Sequence, residues 1–152
     1  MRNRLSRNPG CSVFALLAVV VLTLASCAGQ ISVKQKVDQA DRVAFESLRL
    51  FQTMESGAYH AGAPWPSAAQ HQQIGAKLSQ AYTLVIDVAN AGLHLQTGVP
   101  ASQQLLTEVA LLGQLVGEVV SLSRAAPPPI AAQATKANTD TQALMTTVTR
   151  GK

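Results

Sequence analysis

The amino-acid sequence predicts an all-α fold: an antiparallel three-helix bundle followed by a marginal C-terminal helix. Three observations predict it. Apolar residues recur at intervals of three and four over long stretches, those stretches lack proline, and β-branched residues nowhere alternate with polar ones over a useful length. Only 4% of residues are aromatic and 13% charged, so the core must be built from Ala, Leu and Val. Past residue 26 about 126 residues remain, enough for one domain with a single core and too few for two.

The first helix is predicted from about Ser32 to Glu55. Val33, Val37, Ala40, Ala44, Leu48 and Phe51 form an apolar stripe, and Lys34, Lys36, Asp38, Asp41, Arg42 and Arg49 occupy other faces. It is expected to end near Ser56-Gly57, because two prolines and two glycines follow between Gly57 and Ser67. Ser67 with Gln70 three residues on has the spacing of a capping box and starts a second helix at Ala68. Its stripe is Ile74, Leu78, Ala81, Val85, Val88 and Leu95, closing near Thr97-Gly98. Gly98 suits the left-handed position after a helix, and Pro100 suits the first turn of the next. So short a link makes the second and third helices antiparallel neighbours.

The third helix, about Pro100 to Arg124, carries Leu105, Val109, Leu112, Val116, Val119 and Ser123 on one face, with Leu106, Leu111, Leu115 and Val120 beside it. That wide stripe marks it as the most buried of the three. Pro127-Pro128-Pro129 ends it and reads as a stiff linker. Beyond it, Ile130, Ala134, Ala137, Thr141, Leu144 and Val148 keep a heptad-like stripe in a segment rich in Thr. Stripe without helix propensity predicts the least stable helix of the chain, which either packs on the bundle or awaits a partner.

The N-terminal segment has a different character. Arg2, Arg4 and Arg7 precede the apolar run from Val13 to Leu24, the layout of a secretion signal. A run of about a dozen residues makes a helix of roughly 18 Å, short of the roughly 30 Å hydrocarbon core. Leu24-Ala25-Ser26-Cys27 follows, and this tetrapeptide resembles the lipobox of bacterial lipoproteins. The resemblance, confined to the signal and its cleavage site, implies that residues 1–26 are removed and that Cys27 takes a diacylglycerol, often with a further acyl chain on the new amine. Several acyl chains at about 0.8 kcal/mol per buried methylene anchor a protein stably. Cys11 would leave with the signal and the Cys27 sulfur would be occupied, so no intramolecular disulfide is expected. Asp is absent from Ala28 and Gly29, which in lipoproteins of the enteric type implies the outer membrane, facing the periplasm, if the host has two membranes. The expected domain plan is signal over 1–26, bundle over 27–126, and proline linker with C-terminal helix over 127–152.

Charge narrows the partners. The whole chain has 12 Lys and Arg against 8 Asp and Glu; without Arg2, Arg4 and Arg7 the balance is nine against eight. No basic field remains to attract nucleic acid. His60, His71 and His94 lack metal-ligand spacing, no cysteine pair occurs, and neither a nucleophile elbow nor a phosphate loop is present. No catalytic residue, metal or cofactor is therefore expected. His60 and His71 flank the Pro-Trp-Pro loop and are read as exposed polar residues, although they can approach each other. Asp87 is read as falling on the solvent face, with an inward carboxyl of raised pKa, a candidate functional group, as the other reading. Gly113 and Gly117 make room for a neighbouring helix of the same bundle, with self-association as the other reading.

The expected role is that of an envelope protein acting by contact with protein partners. Tyr59 and Trp65 in the irregular loop, and Ile130, Leu144 and Val148 on the last stripe, are the candidate contacts. Trp65 folded down to cap the bundle end is the other expectation. Val43-Ala44-Phe45, Ala81-Tyr82 and the Gly-Val-Pro link at 98–100 resemble small helical lipoproteins of bacteriophages and mobile elements, which implies lysis or superinfection exclusion as roles. A carrier holding an apolar ligand between its helices is the rival, supported by the wide stripe of the third helix.

Overall fold

The structure, a computed structural model, describes residues 32–92, 94–95 and 101–150. The signal segment, Cys27, Gly98 and Pro100 lie outside the described residues. The fold is all-α: four helices and no strand among the described residues. They are α1 (Val33–His60), α2 (Ala68–Gly92), α3 (Gln103–Leu122) and α4 (Pro128–Thr149).

Each start has a local cause. Ser32 caps α1 in a capping box with Gln35, and Ser67 does the same for α2: Ser67 N–H donates to Gln70 Oε1 at 3.0 Å and Gln70 N–H to Ser67 Oγ at 3.3 Å. Ser102 Oγ accepts from Leu105 N–H at 3.2 Å and starts α3. The triple proline does not act as a linker. Pro127 is the cap of α4 and prolines fill its first positions, where the missing N–H groups would have had no helical partner. The first helix also outruns its expected end: α1 passes through Gly57 to His60 and turns out at Gly62, whose φ of 70° suits glycine.

Every helix packs on two others: α1 on α2 and α4, α3 on α2 and α4. Val37, near the start of α1, touches Gly92 at the end of α2 so closely that a methyl group at position 92 would lie 2.5 Å from Val37 Cγ1. At the other end Glu55 of α1 meets His71 of α2, and Lys77 of α2 pairs with Glu118 of α3. A methyl group at Gly113 of α3 would lie 2.7 Å from Met145 Sδ of α4, so this glycine does seat a neighbouring helix; nothing approaches Gly117.

The core contains all the expected stripe positions of α3 and α4. Leu105, Val109, Leu112, Val116 and Val119 are buried together with Ile130, Ala134, Ala137, Leu144 and Val148, and Thr141 spends its hydroxyl on the Ala137 carbonyl at 2.8 Å. The last helix is thus part of the core, and Ser32–Lys152 forms one compact unit with no boundary at 126/127. A polar clamp fixes it to α1: Ser47 Oγ donates to Asp140, Lys136 Nζ donates to Ser47 Oγ at 3.2 Å, and Gln133 Nε2 donates to the Ser47 carbonyl at 3.0 Å. By length and composition α3 could cross a membrane, but seven of its residues are buried against its neighbours.

Candidate functional site

The end of α1 and the start of α2 come together around a buried carboxylate. Glu55 continues the stripe four residues after Phe51, so helical geometry turns it inward, and its side chain is only 2% exposed. A carboxylate in such a place needs a partner. His71, in the first turn of α2, supplies it with Nδ1 at 2.8 Å from Glu55 Oε1. The pair meets through Nδ1, which leaves Nε2 for a partner outside it. The imidazole is held from the other side by Tyr59, whose ring stacks on it at 4.0 Å and 8°. His60 closes the cluster edge-on, 5.5 Å from Tyr59 and 6.1 Å from His71 between ring centroids.

Beside this cluster runs an open cleft of about 490 Å³, lined by Arg49, Gln52, Thr53, Ser56 and Gly57 of α1 and by Gly75 of α2, with Glu55, His60 and His71 at its side. Gly57 and Gly75 keep it open, because nothing lies within 4 Å of where their side chains would start. Towards the middle of the helices, Tyr82 donates to Gln52 Oε1 at 2.9 Å and its ring tilts against Phe45 at 5.1 Å. Burial raises the Tyr82 pKa above its ordinary value, with Arg49 opposing. The arrangement offers a cation, hydroxyls, an amide and a positioned imidazole on one polar surface. Such a surface suits hydrogen-bonded recognition of a polar group, and among the described residues no three His, Cys, Asp or Glu side chains gather to hold a metal.

The expected contact residues fare differently. Tyr59 is half-buried and joins the cluster. Trp65 is a core residue, 4% exposed, whose Nε1–H donates to the Leu122 carbonyl at 3.3 Å; it caps the bundle end and is not presented to a partner. Ile130, Leu144 and Val148 are likewise corrected: they are 6%, 0% and 2% exposed because their stripe is covered by the other helices. Asp87 is exposed, as its helical angle requires. His60 and His71 do converge, though His71 is half-buried. Sequence reasoning missed Glu55. Its place in register with Leu48 and Phe51 was the available signal. Asp41 was also passed over: one carboxylate oxygen is buried without a hydrogen-bond partner, and burial, with Asp38 adding and Arg42 opposing, lifts its pKa to about 6. Comparison with protein-family models, curated proteins and solved structures gives no match.

Proposed function

We propose that the chain is a lipid-anchored protein of the bacterial envelope that works by contact with a protein partner. The observation that carries this reading is Leu24-Ala25-Ser26-Cys27 placed directly after a basic segment and an apolar run too short to span a bilayer. In this reading residues 1–26 are removed, Cys27 is acylated, and the absence of Asp at positions 28 and 29 directs the protein to the outer membrane of a two-membrane host, on its periplasmic face. The finer architecture is an antiparallel four-helix bundle, supported by the meetings of Val37 with Gly92, Glu55 with His71, and Lys77 with Glu118. The contact surface is the cleft beside Glu55 and His71. The stripe of α3 that favoured a ligand carrier is occupied by packing at Leu112 and Val116, which are fully buried, while Leu111 beside it is 45% exposed.

Labelling cells with a fatty-acid analogue tests the reading. Wild type should incorporate the label and Cys27→Ser should not. Equal incorporation in the two would refute acylation at Cys27.

A further inference from the structure

We propose that the end of the bundle formed by the start of α1 and the end of α4 lies on anionic lipid headgroups, so that the domain stands on the membrane with the Glu55–His71 cleft at its far side. The proposal rests on the lipid anchor at Cys27 and adds to it an orientation and a lipid preference.

The length of the link comes first. The Ser32 capping box, with Ser32 N–H donating to Gln35 Oε1 at 3.0 Å and Gln35 N–H to Ser32 Oγ at 3.2 Å, starts the helix at Val33. Residues 28–31 alone separate an acylated Cys27 from that cap, and five extended peptide units reach at most about 17 Å. Acyl chains on Cys27 hold it at headgroup level, so the start of α1 stays within about two screening lengths, roughly 8 Å each, of the lipid charge.

Charge comes second. Lys34 and Lys36 near the start of α1 and Arg150 at the end of α4 are exposed, and the first turns of α1 and α3 contain no acid. Elsewhere on the bundle three cations are paired, Arg42 with Asp38, Lys77 with Glu118 and Lys136 with Asp140, whereas Arg49 in the cleft and Arg124 at the opposite end stand alone and exposed among the described residues. Among the described residues no ion pair engages Lys34, Lys36 or Arg150. The two lysines also sit where the helix field favours acids. A surface of opposite charge gives these positions a use that helix stability does not. Each such cation near an anionic leaflet strengthens surface association by about fivefold. At the other end, the 28 residues of α1, at 1.5 Å each, carry His60 about 40 Å from Val33.

The test uses the full lipidated protein in vesicles of phosphatidylcholine containing one third phosphatidylglycerol. With the Cys27 sulfur acylated, Thr149→Cys or Ala125→Cys provides a single free thiol for a fluorophore at one end or the other. Brominated lipid should quench the label at 149 and leave the label at 125 unquenched. Reversing the charges with Lys34→Glu, Lys36→Glu and Arg150→Glu should lower quenching at 149 severalfold while the protein still floats with the vesicles. High salt, where the screening length falls to about 3 Å at 1 M, should do the same. The two lysine replacements put acids where the helix field favours them, and an unchanged helical signal would confirm that folding is intact. Equal quenching at the two positions, or quenching at 149 that ignores both charge reversal and salt, would overturn the orientation alone. Failure of the wild type to float would overturn the anchor and the orientation together.

Discussion

Replacing Asp41 by Asn should stabilise the protein at neutral pH and leave it unchanged in acid. Asp41 sits half-buried on α1 with one oxygen unpartnered, and its pKa is about 6 in place of the ordinary 3.8. The folded state therefore holds the proton more tightly than the unfolded state does. Its contribution to stability is full below pH 3.8 and is lost as pH rises through about 6. The full shift would correspond to about 3 kcal/mol. Solvent reaches much of the side chain and screens the charge, so we expect about 1 kcal/mol. In a unit of this size that is a rise in Tm of about 4 °C. Thermal melts of wild type and Asp41→Asn on both sides of the transition measure it: the variant should melt higher above pH 6 and together with wild type below pH 4. A variant that melts lower at neutral pH, or a difference that does not change with pH, would refute the reasoning.

Two glycines in close contacts should respond in opposite ways. Gly92→Ala drives a methyl group into the stiff branched side chain of Val37 and should cost about 1–3 kcal/mol. Gly113→Ala meets only the flexible end of Met145 and gains helix propensity of about 1 kcal/mol, so urea denaturation should find it neutral or stabilised. Leu144→Ala should cost about 2–5 kcal/mol in the same assay, and a chain ending at Ala126 should lose its cooperative melt altogether. Trp65→Phe leaves the Leu122 carbonyl without its indole donor and should cost about 1 kcal/mol. Glu55→Ala removes the partner of His71 and should loosen the ring stack on Tyr59, visible as altered imidazole shifts in NMR spectra.

The helices were legible because their stripes are regular: Ile74, Leu78, Ala81, Val85 and Val88 are all buried, and Ser67 with Gln70 caps as its spacing implies. What misled was local propensity read without its tertiary setting. The threonines of α4 weaken an isolated helix, and those at 135, 139, 147 and 149 turn their hydroxyls to carbonyls four residues back, but the stripe is buried against α1 and α3. The triple proline looked like a separator because it cannot continue a helix, and it proves to be a start. Gly57 looked like a stop because glycine is costly inside a helix, but only about 1 kcal/mol opposes it. The cleft was invisible for another reason. Most of its residues lie on α1 but His71 and Gly75 come from α2, and no spacing along the chain records that Arg49 and Gly75 share a wall.

The clamp between Ser47 and α4 joins residues 93 apart in sequence, and α1 is flanked by the first and last neighbours to be made. During synthesis the α1 stripe is therefore half covered until the final two dozen residues have emerged. Contacts that span most of a chain form slowly and leave apolar surface open to wrong partners meanwhile. Because α4 packs on both α1 and α3, its docking closes two stripes at once.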